Sequence, residues 1–272
     1  MSNPDAANSA AEAPPVLAST DGPIARLVLN RPRAGNSLSM ALVTALRAEL
    51  AALAERQDIK VIIISATGGR IFSAGHDLNE FAGEPDQDFL ARDFAGIAAL
   101  MQAIMAQPQI VIAKVEGVAT AAGCELVAAC DLALASSVAR FAVPGVNIGF
   151  WCHTPQVQLA RNIGRKPGMM MLATGRLFPA AHALQIGLIN EIHEPDALDA
   201  AVEALAGEIA SKSRAVLEIG KKAYHAQASL GVAEAYAFAQ GSALANLAHP
   251  DAKEGIAAFL EKRPAKWSGD PA

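Results

Sequence analysis

The sequence is poor in cysteine, in aromatic residues and in charge. Its 272 residues include 3 cysteines, 5% aromatic residues and 18% charged residues, and the net charge is -5. An odd number of cysteines in apolar surroundings is typical of buried thiols and not of a disulfide framework. The scattered Lys and Arg residues form no basic face, so we expect no nucleic-acid partner.

Long apolar runs are also lacking. None reaches the roughly 18 residues that a membrane-spanning helix needs, and the N-terminus has no basic segment followed by an apolar one. We therefore expect no membrane partner and a cytoplasmic location. Residues 1–15 are mostly Ala, Ser, Asn and Pro without aromatics, which predicts a disordered tail. The 52% hydrophobic content predicts a large buried core for the rest.

Several common functional motifs are absent as well. The sequence contains no Gly-x-Ser-x-Gly elbow, no P-loop and no Gly-x-Gly-x-x-Gly dinucleotide loop. No spacing of His, Cys and Asp suits a metal ion, and the cysteines lie in apolar segments. We therefore predict neither a bound metal nor a nucleotide cofactor of these classes.

Strand-like and helix-like segments alternate through the first half of the chain. Strands are predicted over 24–29, 61–65, 109–115 and 131–136, with helices beginning near 39 and 86, and a hairpin partner for the first strand at 16–19. This alternation indicates βαβ units and a parallel sheet, hence an α/β fold. From residue 154 onward the pattern is helical almost throughout, with breaks at several glycines and prolines. It includes helices over 197–211 and 232–247 that we expect to pack on one another or on other subunits.

A run of small residues over 119–127 contains one carboxylate, Glu125. The run follows a predicted strand and leads into an apolar segment typical of a short buried helix. The start of a helix presents unpaired N–H groups, and small side chains let a ligand oxygen approach them. The stretch therefore predicts an oxyanion pocket beside Glu125, although a glutamate in a first turn also favours the helix dipole without any ligand.

A second loop, over 66–80, follows the preceding parallel strand. Loops at the carboxyl ends of parallel strands form one crevice, so we expect this loop and the segment 117–125 to face the same site. Two N–H donors from separate loops with a carboxylate alongside can stabilise an enolate oxygen while a proton moves at a neighbouring carbon.

Four ordered motifs resemble the landmarks of the enoyl-CoA hydratase/isomerase (crotonase) superfamily, and the resemblance covers residues 16–268. The motifs are Phe72-Ser73-Ala74-Gly75-His76-Asp77-Leu78, Val115-Glu116-Gly117-Val118-Ala119, Gly123-Cys124-Glu125-Leu126 with Cys130-Asp131, and Phe259-Leu260-Glu261-Lys262-Arg263. His-Asp-Leu in the first motif, together with residues 149–155, is most similar to the branch containing the mitochondrial enoyl-CoA hydratase domain-containing proteins.

The resemblance implies a crotonase-like spiral of ββα units over 16–200, followed by a helical region over 201–272 for closure over CoA and for trimerisation. It implies an acyl-CoA thioester as the ligand, with no cofactor beyond the CoA of the substrate. It also implies a homotrimer or a hexamer of paired trimers. The implied reaction is the addition of water to a 2-enoyl-CoA.

The resemblance also assigns residues. The oxyanion hole falls on the N–H groups of His76 and Ala122, and Glu125 is the catalytic acid-base group. The residues implied to contact the CoA ester are Arg33 and Ala34 at the nucleotide, Ala74, Asp77 and Leu78 around the adenine, Gly123 in the helix start, and Phe259 with Lys262 on a helix that closes from a neighbouring subunit. The imidazole of His76 is expected to be structural or solvent-facing.

The sequence departs from the family at one position that matters for the reaction. Hydratases of the family hold one water between two glutamates, and the position of the second is Gly145 here. Glu125 alone would support a slower hydration, an isomerisation of the double bond or a thioester hydrolysis, or the chain would be a noncatalytic acyl-CoA binding protein. Asn147, Cys152 or His153 are alternatives for lining the acyl pocket and orienting water.

Overall fold

The computed structural model describes residues 13–83 and 85–269. Most of the tail expected over 1–15 therefore lies outside the described residues. Pro14 and Pro15 are already attached to the domain, because their carbonyl oxygens accept hydrogen bonds of 3.0 and 2.8 Å from the side chain and backbone of Asn30.

Strands and helices alternate as the sequence predicts. The strands are β1 (Val16–Asp21), β2 (Ile24–Leu29), β3 (Val61–Ala66), β4 (Ile71–Ser73), β5 (Ile110–Val115), β6 (Val118–Thr120), β7 (Leu132–Ser136), β8 (Arg140–Ala142), β9 (Phe178–Pro179) and β10 (Glu191–His193). The helices are α1 (Met40–Ala54), α2 (Gln87–Ala106), α3 (Ala122–Ala129), α4 (Pro155–Asn162), α5 (Arg165–Thr174), α6 (Ala180–Gln185), α7 (Leu198–Ala210), α8 (Arg214–Gln227), α9 (Val232–Ala248) and α10 (Pro250–Leu260).

The strands form two sheets. The larger sheet has the order β1-β2-β3-β5-β7-β10, and all of its pairs are parallel except the β1–β2 hairpin. The smaller sheet has the order β4-β6-β8-β9, and only the β8–β9 pair is antiparallel. Each of the units β3-β4-α2, β5-β6-α3 and β7-β8-α4 gives one strand to each sheet and then a helix. The predicted α/β spiral of ββα units is therefore confirmed.

Local sequence signals explain the first two helices. Ser39 caps α1 by accepting a hydrogen bond from the N–H of Leu42, and the leucines of α1 at helical spacing are buried. Asp86 caps α2 in the same way. By length and composition α2 would be long enough to cross a bilayer, but its side facing the domain is buried against α1 and α3, as expected for a core helix.

The expectation that the chain after residue 154 is helical is wrong at β9 and β10. These strands have only 2 and 3 residues, too few for a periodic pattern to distinguish them from a loop. Their structure comes from pairing with β8 and β7, which are distant in sequence. The domain boundary proposed at 200/201 falls inside α7, whose buried face packs on β3, β5 and β7.

The C-terminal helices attach to the spiral through a buried ion pair. Lys221 on α8 donates a hydrogen bond of 2.6 Å to Asp131 and two more to the carbonyl oxygens of Ile104 and Gln109. In contrast, α9 has no buried residue in the single chain. Large apolar side chains are exposed on and after it: Val232, Tyr236, Phe238, Leu244, Leu247, Ile256, Phe259 and Leu260.

Candidate active site

The loop after β4 and the start of α3 are in close contact. A Cβ atom on Gly75 would lie 3.0 Å from the backbone nitrogen of Ala122, and a Cβ atom on Gly123 would lie 2.4 Å from the carbonyl oxygen of Ser73. Only glycine permits so close an approach of two backbones. The prediction that the two loops face one site is confirmed, and the backbones that carry the two predicted N–H donors are neighbours.

The start of α3 lacks a side-chain cap. The residue before the helix, Ala121, has φ 50° and ψ -124°, a conformation that glycine prefers, and it makes no side-chain hydrogen bond to the first turn. Such a backbone costs about 1–3 kcal/mol and is retained mainly where a site requires it. No side chain therefore competes with a ligand oxygen for the N–H groups of the first turn, including that of Ala122.

Glu125 lies in that first turn and is almost completely buried, with 3% of its surface exposed. Burial raises the pKa of Glu125 to about 7, and a hydrogen bond from Thr154 opposes the rise. The Thr154 hydroxyl donates this bond to Oε2 of Glu125 over 2.9 Å. A carboxyl group with a pKa near 7 can both accept and return a proton at neutral pH.

Replacing Thr154 by Val is expected to move the pH dependence of activity upward. The hydroxyl stabilises the ionised form of Glu125, so its loss raises the pKa of that carboxyl further above its ordinary value. A base must be ionised to work, so the rising limb of kcat/KM, expected near pH 7, should shift to higher pH by about one unit. Thr154→Ser keeps the hydroxyl and should keep the parental midpoint, and an unshifted Thr154→Val profile would contradict the interaction.

A cavity of about 470 Å³ opens beside the two loops. Its wall is mostly apolar, and the rings of Phe94 and Phe150 stack at 6.0 Å between centroids. The residues that line it are Ala74, His76, Leu78, Phe81, Phe94, Ala121, Pro144, Gly145, Asn147, Ile148, Phe150, Cys152, His153, Thr154 and Pro155. Asn147, Cys152 and His153, the alternatives given for lining an acyl pocket, all lie in this wall.

Gly145 lies in the wall of the cavity without room for a side chain. A Cβ atom there would lie 2.3 Å from the carbonyl oxygen of Phe150 and 3.0 Å from the sulfur of Cys152. The space that a side chain would need at this position, where the family has its second glutamate, is thus filled by the main chain of Phe150 in the following loop. None of the described residues that line the cavity is acidic, and Glu125 is not among them. Glu125 is connected to the wall by the hydrogen bond from Thr154, which does line the cavity.

The residues that the family resemblance assigns to the nucleotide end of CoA lie beside the loop after β4. Arg33 and Ala34 belong to a short 3-10 turn, followed by Gly35, whose carbonyl oxygen accepts a hydrogen bond of 2.9 Å from the backbone of Ala74. Ala74 in turn accepts a hydrogen bond of 3.0 Å from the hydroxyl of Thr120 in the other loop. The structure therefore brings these predicted contacts together along one edge of the site.

Asp77 is less available to a ligand than its sequence position suggests. Burial alone would raise the pKa of Asp77, but hydrogen bonds from Arg31 and Asn79 hold it below its usual range. The Arg31 guanidinium lies 2.8 Å from the carboxylate. Its side chain therefore braces the loop, and its carbonyl oxygen accepts a hydrogen bond of 2.9 Å from the backbone of Glu80. Leu78, in contrast, is 57% exposed at the cavity.

Phe259 and Lys262 are not among the described residues of the cavity wall. Phe259 lies on α10, which packs on α8 and α9, and it is 83% exposed. Lys262 follows the helix with φ 55°. Within one chain the structure does not bring either residue to the site.

Two contributors to the site were missed by sequence reasoning, Thr154 and Asp93. Thr154 precedes Pro155 at the start of α4, where a hydroxyl usually caps the helix. It makes no such cap, and its hydroxyl goes to Glu125 instead. Asp93 is a buried acid on α2, 3.3 Å from the imidazole of His76. The sequence signal that could have identified Asp93 is an acidic residue on the buried face of a helix, where charged side chains are rare unless paired. In residues 13–83 and 85–269, no three His, Cys, Asp or Glu side chains are placed to hold a metal ion.

A spiral of ββα turns with two facing backbone loops, a buried carboxyl group and an apolar cavity is the arrangement of a crotonase-type enzyme. A sequence profile described as Enoyl-CoA hydratase/isomerase matches residues 19–270. The chain belongs to the enoyl-CoA hydratase/isomerase family, whose members act on CoA thioesters.

Named relatives agree with this assignment. The chain is 43% identical over 252 residues to the mitochondrial enoyl-CoA hydratase domain-containing protein 3 of Danio rerio, covering 93% of this chain and 87% of that protein. It is 36% identical to the 2,3-dehydroadipyl-CoA hydratase of Escherichia coli strain K12, covering 89% and 94%. The crystal structure of human enoyl-CoA hydratase domain-containing protein 3 has a TM-score of 0.91 and 42% identity, covering 93% of this chain and 100% of that one.

These relatives confirm the branch that the His-Asp-Leu motif indicated, and they correct one expectation. A cytoplasmic location was predicted because no targeting segment was apparent. That prediction is wrong on this comparison, because the zebrafish, rat, mouse and human relatives are named mitochondrial.

Proposed function

We propose that this chain is an enoyl-CoA hydratase that adds water to a 2-enoyl-CoA by means of one carboxylate. The observation that carries the proposal is the position of Glu125, a buried carboxyl with a pKa near 7 at the uncapped start of α3. The N–H groups of His76 and Ala122 would hold the thioester oxygen and stabilise the enolate that forms during addition.

In the proposed reaction, ionised Glu125 takes a proton from water while the water oxygen forms a bond to C3 of the enoyl group. The electron pair of the C2=C3 bond moves onto the thioester, as an enolate held by the two N–H groups. Protonated Glu125 then returns the proton to C2. The hydroxyl of Thr154 donates to Glu125 and keeps lone pairs that can accept a hydrogen bond from the water. The reaction needs only water and the thioester.

A single carboxylate also supports a second reaction. Moving a double bond requires removal of a proton at one carbon and its return at another, which one group can perform. Because Gly145 leaves the site without a second acid, isomerisation of the double bond is the favoured alternative to hydration. Thioester hydrolysis and noncatalytic binding of acyl-CoA are the remaining alternatives.

The test is product analysis with three CoA esters. We expect the 2-enoyl-CoA to give a 3-hydroxyacyl-CoA that incorporates oxygen from labelled water, with the pH dependence described for Glu125. Conversion of a 3-enoyl-CoA into a 2-enoyl-CoA, without hydration, would favour isomerisation. Release of free thiol from a saturated acyl-CoA would favour hydrolysis. Binding without turnover of any ester would leave only the noncatalytic alternative.

We also propose that the CoA moiety lies along the edge formed by Arg33, Ala34, Ala74, Asp77 and Leu78, with Gly123 in the helix start beneath the thioester. Arg33 is exposed beside this edge and can act as a charge partner for phosphate. Phe259 and Lys262 would approach the CoA of another subunit.

The exposed apolar side chains of α9 and α10 support a homotrimer or hexamer. Exposed apolar residues in such number are typical of a surface that another subunit covers. Light scattering after gel filtration measures the mass directly. A monomer at micromolar concentration would contradict the proposed assembly and the contribution of Phe259 and Lys262 across subunits.

A further inference from the structure

The imidazole of His76 and the carboxylate of Asp93 form a buried pair that the proposed reaction does not use. Nε2 of His76 lies 3.3 Å from Oδ2 of Asp93, and the two side chains are 12% and 2% exposed. Neither atom has a hydrogen-bond partner in residues 13–83 and 85–269, and their mutual contact does not meet hydrogen-bond geometry either. Buried polar atoms are normally paired, so a pair left incomplete beside a cavity calls for a function.

The imidazole belongs to the wall of the cavity. Its centroid lies 5.6 Å from the ring of Phe81 and 5.2 Å from that of Phe94, and all three residues line the cavity. Aromatic packing on two sides fixes the plane of the ring. The sequence left two expectations for this side chain, structural or solvent-facing. The solvent-facing one is wrong, because the loop that carries the ring turns it toward α2.

The pair determines which ring nitrogen carries the proton. Burial lowers the pKa of His76 to about 4, so the ring is neutral at neutral pH. Burial and the charge of Glu80 raise the pKa of Asp93 to about 6, so its carboxylate is mostly ionised at pH 7 and above. A carboxylate facing Nε2 favours the proton on that nitrogen, which leaves the lone pair on Nδ1. Nε2 is fully buried, so Nδ1 is the nitrogen left to a ligand.

We propose that Nδ1 of His76 accepts a hydrogen bond from a hydroxyl group on the acyl chain, so that the site selects hydroxylated enoyl-CoA esters. Asp93 is the positioning residue that holds the ring in this tautomer. The inference rests on the proposed function, because it takes the backbone N–H of His76 as a donor to the thioester oxygen. The ring and the backbone N–H that binds the thioester oxygen both belong to His76. The ring can therefore reach only the first few acyl carbons beyond the thioester carbonyl.

The test compares two esters that differ by one oxygen, crotonyl-CoA and trans-4-hydroxycrotonyl-CoA. Binding is measured by calorimetry with the Glu125→Gln variant, which should turn over both esters about a hundredfold to ten-thousandfold more slowly than the parent. We expect the hydroxylated ester to bind about three- to tenfold more tightly, the value of one neutral hydrogen bond. Adding His76→Phe keeps a ring in the wall and should bring the ratio of the two dissociation constants close to one.

Further variants test Asp93. Asp93→Leu removes the carboxylate that faces Nε2 at 3.3 Å and should reduce the ratio, whereas Asp93→Asn keeps an oxygen at this position and should retain most of it. Asp88→Leu changes an exposed acid on the same helix and should leave the ratio unchanged. The ¹⁵N chemical shifts of the His76 ring should report a protonated Nε2 in the parent and a mixture of tautomers in Asp93→Leu.

The outcomes separate this inference from the proposed function. If neither ester binds, the proposed thioester site is wrong. If both bind with equal affinity, or if His76→Phe keeps the preference, only the selection of a hydroxyl group is overturned. A full preference in Asp93→Leu would overturn the positioning role of Asp93.

Discussion

Replacing Glu125 by Gln is expected to lower kcat for hydration of a 2-enoyl-CoA by about a hundredfold to ten-thousandfold, the usual effect of removing an acid-base group. The amide cannot accept a proton from water, but it has the same shape and can still accept the hydrogen bond from Thr154. Affinity for the CoA ester should therefore change little, and initial rates with separate determination of KM will show a loss confined to kcat.

Glu116→Gln is the matched control. Glu116 lies in the turn between β5 and β6, outside the cavity wall, and pairs at 2.8 Å with the half-buried Lys114. The variant should retain the parental rate, because this side chain does not line the cavity and Lys114 keeps Asp199 as a second partner. A Glu125→Gln variant as fast as the parent would remove this carboxyl from the mechanism and favour chemistry by another group.

Replacing Gly145 by Ala is expected to destabilise the fold by about 2–3 kcal/mol and to reduce activity, because the added methyl group overpacks the loop. Its Cβ atom would lie 2.3 Å from the carbonyl oxygen of Phe150, a backbone atom that cannot rotate away. The loop that carries Phe150 and Thr154 must then move, and the hydrogen bond to Glu125 moves with it. Urea unfolding and initial rates measure the two effects.

Gly145→Glu should behave in the same way and should not restore a two-carboxylate site. Gly207→Ala is the control, because a Cβ there, in the last turn of α7, would meet nothing within 4 Å. That change should be neutral or stabilise the protein by up to about 1 kcal/mol, since alanine favours the helix. A folded Gly145→Glu variant faster than the parent would contradict the close packing at this position.

The parts of the fold that could be predicted have strong local signals. The apolar run of β3 is buried along most of its length, and Ser39 and Asp86 mark the starts of α1 and α2. The strand β10 has no such signal, because its three residues become a strand only by pairing with β7. The role of Thr154 has no local signal either. A hydroxyl before a proline is typical of a helix cap, and only the tertiary structure pairs it with a carboxylate distant in sequence.

The sequence by itself determined the alternating elements, the two small-residue loops, the presence of Glu125 and the absence of a second acid at Gly145. These features follow from residue type, spacing and local backbone preference. Only the tertiary structure decided that Glu125 is buried with a pKa near 7, that the Phe150 carbonyl occupies the space beside Gly145, and that His76 faces Asp93 inside an aromatic wall. Burial, close contact and pairing between distant segments depend on how the turns of the spiral pack, and no local pattern records them.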